Sequence, residues 1–153
     1  MEARSNQKIL RAAHKLGWMC QRHEDKFAMG VPDISFVAPE FAGWIETKYT
    51  RGNQKLKIRP SQVNWMCDRA KYPTFRAFLV CEAGERWLAC RVTAEDRFKL
   101  LEGVNPSNFH KLEYTDEGPL QSILAFVQLE AMARSKKSVG TAEPEVCVLR
   151  GTG

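Results

Sequence analysis

Two short alternating runs, Ile34-Ser35-Phe36-Val37 and Trp44 to Tyr49, are joined by a turn over Pro39 to Gly43, and this arrangement constrains the chain more than any other feature. Strands so close in sequence are expected to pair antiparallel, as a hairpin. Ahead of them, Gly30-Val31-Pro32 disfavours helix, so Asp33 opens the first strand. Along the second strand Trp44, Glu46 and Lys48 share one face, and Ile45, Thr47 and Tyr49 share the other.

The rest of the chain supplies layers around this hairpin. From Arg4 to Leu16 the residues Ile9, Leu10, Ala13 and Leu16 recur at helical spacing, and Gly17 is placed as the C-cap. Trp18 to Arg22 reads as a short strand. Thr50 to Arg59 reads as a polar, basic loop. Pro60 and Ser61 then start a helix, with Ser61 as its cap and Val63, Met66, Cys67 and Ala70 as its apolar face. Phe75 to Cys81 and Trp87 to Val92 read as strands around an Ala83-Gly84-Glu85 turn. Thr93 caps a short helix through Leu101, and Leu120 to Ala133 forms a final amphipathic helix. The order predicts a mixed α/β domain with a central sheet over residues 1–134, followed by a flexible tail over 135–153.

Composition excludes several classes. Of 153 residues, 44% are hydrophobic and 27% charged, which is ordinary for a globular domain and too apolar for wholesale disorder. No apolar run approaches the ~18 residues of a membrane span. The basic N-terminus does not read as a secretory signal. The five cysteines are odd in number and lack C-x-x-C spacing, so neither a zinc finger nor a disulfide scaffold is expected. Reduced thiols point to a cytoplasmic protein. The net charge is +5, unevenly spread: residues 1–76 hold 14 Lys/Arg against 7 Asp/Glu, and residues 77–153 hold 9 against 11. A basic half attracts polyanions such as DNA.

Glu46 and Lys48 follow Asp33 by 13 and 15 residues. Their i, i+2 spacing sets them roughly 6–7 Å apart on one face. A hairpin brings Asp33 beside them, so two carboxylates and an ammonium converge. This set suits phosphodiester hydrolysis. Hard oxygen ligands suit Mg²⁺, with the Thr47 carbonyl as a further donor. The metal polarises the phosphoryl group, and a lysine orients the attacking water. On its own, E-x-K is a very common tripeptide and more often marks the solvated face of an edge strand.

The context is more specific. Gly30-Val31-Pro32-Asp33, Trp44-Ile45-Glu46-Thr47-Lys48 and Pro60-Ser61-Gln62 resemble, in order and approximate spacing, the motifs of the PD-(D/E)XK nuclease superfamily, and within it the VRR-NUC (virus-type replication-repair nuclease) group. The resemblance covers residues 2 to about 81. It implies a restriction-endonuclease-like αβββαβ core with a central mixed sheet flanked by helices, plus C-terminal helices. It implies Asp33, Glu46, Lys48 and Gln62 as catalytic residues, and Asp33, Glu46 and Thr47 as metal ligands for Mg²⁺ or a substituting Mn²⁺. Family members carry a further acidic ligand on the first helix, and Glu2 is the matching residue. The resemblance also implies a Mg²⁺-dependent endodeoxyribonuclease acting on branched or Holliday junction DNA, a homodimer, and a phage or viral origin.

Lys26, Arg51, Lys55, Lys57 and Arg59 are candidates to grip DNA phosphates, with Arg22 a further one. Tyr49 and Trp65 can stack on bases, though Trp65 fits core packing better. His23 lacks a nucleophile beside it in sequence and reads as a surface histidine. Residues 94–134 close the core or form a dimer contact, with the core preferred. Two alternatives stand beside the junction nuclease: a non-catalytic DNA-binding module on the same fold, and a sequence-specific restriction-type nuclease.

Overall fold

In a computed structural model, residues 2–24 and 29–133 are described. Helix α1 (Glu2–Lys15) leads into strands β1 (Met19–Arg22), β2 (Ile34–Ala38) and β3 (Phe41–Thr50). Helix α2 (Pro60–Ala70) then precedes β4 (Ala77–Ala83) and β5 (Arg86–Arg91). A 3₁₀ turn at Ala94–Asp96, α3 (Arg97–Glu102), a second 3₁₀ turn at Pro106–Lys111, β6 (Tyr114–Gly118) and α4 (Leu120–Met132) complete the order. The αβββαβ core is therefore present.

The six strands lie side by side in sequence order. Only β3 and β4 run parallel; every other neighbouring pair is antiparallel. A parallel pair needs a crossover, and α2 supplies it. Helices cover both faces. On one face Val63, Met66 and Cys67 of α2 pack with Leu79, Cys81, Leu88 and Leu100. On the other, Ile9 and Ala13 of α1 and Ile123, Leu124 and Val127 of α4 pack with Ile34, Ile45, Phe78 and Val80. All of β4 is buried, as expected of a strand covered on both sides. The burial of Ile123, Leu124 and Val127 assigns much of α4 to the core, while Leu129 remains 67% exposed.

Several local expectations change. The hairpin turn is confined to Pro39 and Glu40, and β3 starts earlier, at Phe41, because Phe41, Ala42 and Gly43 pair with β2. Arg59, not Ser61, is the N-cap of α2, with Pro60 in its first turn, where the missing N–H costs nothing. Phe75 lies outside β4. Thr93 does stand at the N-cap of the 3₁₀ turn, with its hydroxyl donating to the Asp96 carboxylate rather than bonding a helix N–H. Strand β6, Tyr-Thr-Asp-Glu-Gly, was not expected. Its polar sequence carries no strand signal, and it is held as an edge by pairing with β5. Gly17 ends α1 as expected, with φ of 81° and the Trp18 N–H donating back to the Ala13 carbonyl. Among the described residues, no helix is long and apolar enough to cross a membrane.

Candidate active site

The site forms where β2 stops and β3 continues. The last β2–β3 pair at this end is Ile34 with Ile45. One step further along the same register, Asp33 stands opposite Glu46. With no β2 partner there, the Thr47 N–H turns to Asp33 and donates to its Oδ2 at 3.2 Å. The N–H and carbonyl of one strand residue point to the same edge. The Trp44 N–H points to the β4 side, donating to Arg76, so Thr47, three residues on, faces the β2 side with its carbonyl as well as its N–H. Asp33 is itself fixed through its carbonyl, which accepts from the His23 N–H at 2.7 Å.

Glu46 and Lys48 lie on the β3 face that α2 covers, and both are buried. Gln62, in the first turns of α2 and 2% exposed, reaches down between them. Its Nε2 donates to Glu46 Oε2 at 2.7 Å, and its Oε1 accepts from Lys48 Nζ at 3.3 Å. Lys48 Nζ lies 3.2 Å from the same Glu46 oxygen. Glu46, Lys48 and Gln62 thus close a triangle in which the charges of a buried pair are both bonded, the condition under which such a pair is tolerated.

Gly30 fixes α2 against the Asp33 turn. Its φ is 92°, and an added Cβ would overlap the Ser61 carbonyl and lie 2.9 Å from Trp65 Cβ. Only glycine allows the turn before Asp33 to sit this close to the helix that carries Gln62.

Asp33 opens into a polar cleft of about 480 Å³ lined also by Asn6, Arg22, His23, Glu24 and Arg59. His23 is a correction to the sequence reading. It is half-buried, with Nε2 2.9 Å from Ser35 Oγ and its ring 5.4 Å from that of Trp44. The β1–β2 register explains this: Arg22 pairs with Ile34, so His23 falls beside Asp33. Asn6 was not singled out from the sequence. The available signal was its place with Ser5, Ile9 and Ala13 on the buried face of α1.

The remaining candidates fall in three groups. Glu2 is exposed in the first turn of α1. Among the described residues, no three His, Cys, Asp or Glu side chains gather closely enough to hold a metal. Arg51, Lys55, Lys57 and Arg59 are all exposed, but their loop is anchored. Leu56 and Ile58 alternate with the cations and are buried, and Leu56 bridges to Val104. Lys55, Lys57 and Arg59 line a second groove of about 430 Å³ against Leu101 and Gly103. Arg59 borders both this groove and the Asp33 cleft. Lys26 lies outside the described residues. Trp65 packs 5.2 Å from Trp44 and 5.8 Å from Phe75, in keeping with the core role preferred for it, and Tyr49 is half-buried.

Three buried thiols, Cys67, Cys81 and Cys90, belong to the core on the α2 face of the sheet. Cys81 pairs in register with Lys48. Burial, aided by the negative charges of Glu2 and Glu82, pushes it up to about 12. Burial likewise raises Cys67 to about 11, and Cys90 further.

As a donor set, Asp33, Glu46 and the Thr47 carbonyl are all hard oxygens, gathered where β3 runs past the start of β2. They fit a Mg²⁺-type cation, which favours oxygen ligands and retains water.

No known protein-family model matches the chain, and no curated protein matches it. Among solved structures, the chain is similar to Hjc, a Holliday junction resolvase from the archaeal hyperthermophile Archaeoglobus fulgidus. The TM-score is 0.56 at 15% sequence identity, covering 79% of this chain and 98% of that one. At that identity the likeness is one of fold: a mixed six-stranded sheet with flanking helices, of the resolvase and restriction-endonuclease type.

Proposed function

We propose that this protein is a divalent-metal-dependent endonuclease that hydrolyses DNA phosphodiester bonds, with branched or Holliday junction DNA as its substrate. The observation that carries the reading is the closed Glu46–Lys48–Gln62 triangle with Asp33 opposite Glu46 at the mouth of a polar cleft. A solvated edge strand would leave Glu46 and Lys48 in water; here both are buried, beside a second carboxylate.

Asp33, Glu46 and the Thr47 carbonyl would hold Mg²⁺, for which Mn²⁺ would substitute. When bound, such a metal would polarise the phosphoryl oxygen as a Lewis acid and lower the pKa of water. Lys48 holds the attacking water in line and offsets the negative charge that develops at phosphorus. Gln62 fixes the Lys48 ammonium and the Glu46 carboxylate relative to each other. The water oxygen bonds to phosphorus and the bond to the 3′ oxygen breaks, leaving 5′-phosphate and 3′-hydroxyl ends. Arg59, at the junction of cleft and groove, grips the phosphate next to the cut, and Lys57 and Lys55 carry the strand onward. Junction specificity and a homodimer rest on the motif resemblance. The fold shared with a Holliday junction resolvase supports the junction reading.

The test is cleavage of labelled four-way junction, flap, single-stranded and linear duplex DNA with Mg²⁺ or EDTA. Wild type is compared with Glu46→Ala and Lys48→Ala. Metal-dependent cutting, strongest on the junction and lost in both variants, is expected. Binding without cutting in Mg²⁺ and Mn²⁺ would instead make the protein a DNA-binding module.

A further inference from the structure

We propose that the amide of Asn6, rather than the carboxylate of Glu2, is the contribution of α1 to the metal site, its Oδ1 holding the cation directly or through a bound water. The inference rests on the metal-dependent reading above and names one more residue of that site.

Asn6 is 4% exposed, on the face of α1 turned to the sheet. Its Oδ1 is buried and has no hydrogen-bond partner among the described residues. A buried amide oxygen left unbonded is destabilising, and in a folded protein it calls for a bound ion or water. Neighbouring polar groups show that α1 can satisfy its buried side chains: Ser5, one residue earlier, donates its hydroxyl to Glu82 at 2.7 Å. Asn6 instead lines the cleft into which Asp33 opens.

Glu2 differs on each point. It is exposed, one turn before Asn6, and absent from the residues lining the cleft. Among the described residues no third acidic group gathers with Asp33 and Glu46, so the site has room for a neutral side-chain oxygen. Asn6 supplies one. A neutral ligand also leaves the site less negative, beside the Lys48 ammonium, than a third carboxylate would. Adding a charge at residue 6 should therefore strengthen cation binding.

The test is Mn²⁺ binding to the full chain without DNA, followed by titration calorimetry and the electron paramagnetic resonance signal of free Mn²⁺. The melting temperature of each metal-free variant is recorded alongside. Asn6→Ala should weaken Mn²⁺ binding about tenfold, the scale expected of an orienting group at a metal site. It should do so without lowering the metal-free melting temperature, since the lost oxygen had no partner. Asn6→Asp should bind Mn²⁺ several-fold more tightly than wild type, and Glu2→Gln should match wild type within about twofold.

Unchanged affinity in both Asn6 variants, with Asp33→Ala still weakening it, would overturn this proposal and leave the nuclease reading intact. A loss confined to Glu2→Gln would restore Glu2 to the role. A lowered metal-free melting temperature with unchanged affinity would make Asn6 a structural residue. No Mn²⁺ binding by wild type would remove the metal-dependent reading as well. If Asn6→Ala fails to fold, Asn6→Asp decides through the direction of its affinity change.

Discussion

The two faces of the sheet each bury a carboxylate paired with a lysine, and they do so to opposite ends. On the α1 face, Glu82 is 7% exposed; Ser5 donates to one of its oxygens and Lys8 pairs with the other. Both partners come from one helix, and no second acid stands beside them in the β-sheet register, where Glu82 meets Tyr49. On the α2 face, Glu46 is 1% exposed and its Oε2 receives both Gln62 and Lys48, while Asp33 stands opposite it from the turn before β2. The first arrangement neutralises a carboxylate and docks a helix. The second brings Asp33 opposite Glu46 along the β2–β3 register, where Asp33 opens into a polar cleft. A buried Glu–Lys pair is therefore no signature of chemistry by itself; the second carboxylate and the open cleft make the difference.

The largest expected effect tests that contrast directly. Glu46→Gln keeps the shape and removes the charge, so cleavage should fall by about 10² or more, as for loss of an electrostatic catalytic group. Glu82→Gln should leave the cleavage rate of the folded protein within about threefold. It should lower stability by about 1–2 kcal/mol, a modest cost because Lys8 is 44% exposed and water screens the pair. Single-turnover cleavage and urea denaturation of both variants read the two effects separately. A folded, inactive Glu82→Gln would erase the distinction between the faces.

Gly30→Ala comes next. The new Cβ would press on the Ser61 carbonyl at a φ that only glycine adopts easily. The expected cost is about 1–3 kcal/mol of stability, and the turn would part from α2. Gln62 would shift with it, so cleavage should fall while α1-face packing persists. Urea denaturation with the same cleavage assay checks this, and an unchanged midpoint would show that the close approach does not hold the site.

Much of this was legible in the sequence because hairpins and periodicity are local. The E-x-K spacing put Glu46 and Lys48 on one face, Gly-Val-Pro-Asp marked the start of β2, and both placements appear in the register. What was not legible depended on tertiary contact. His23 looked like a surface residue because its neighbours Ser35 and Trp44 arrive from other strands. The anchoring of the basic loop was not legible because nothing in its own sequence reveals that Val104 pairs with Leu56. Strand β6 exists only through its pairing with β5. The importance of Asn6 appears only once α1 is docked beside Asp33.

The thiols sharpen the contrast by pH. Cys67, Cys81 and Cys90 all belong to the α2-face core, and burial raises each of them. A raised thiol keeps its proton in the fold after the unfolded chain has lost it. Its contribution to stability is therefore complete below pH 9.0, the unfolded value, and falls as pH rises toward the folded values of about 11 for Cys67 and about 12 for Cys81. The slope is about 1.4 kcal/mol per pH unit for each thiol. Urea denaturation from pH 8 to pH 11 should show this decline, and Cys81→Ala should flatten it. An unchanged slope in Cys81→Ala would mean that the α2 face is wetter than its packing indicates.

The smallest effect concerns the cations that border the cleft and groove. Lys55, Lys57 and Arg59 are exposed on a loop held by Leu56 and Ile58, so removing one should cost little stability. If they follow the DNA backbone, each neutralises one phosphate, and Lys57→Ala should reduce the slope of log affinity against log salt by about 1. The loss should be uniform across DNA sequences. Lys15 lies on α1, in a pocket beside Leu16 and Gln121, on the opposite face of the sheet. Lys15→Ala should leave the salt slope unchanged. Binding measured between 50 and 200 mM salt with inactive Glu46→Ala as the background separates the two. Equal reductions from Lys57 and Lys15 would mean diffuse attraction by the basic half of the chain; a change at Lys57 alone would mean that the strand leaves the active site along the α2 face.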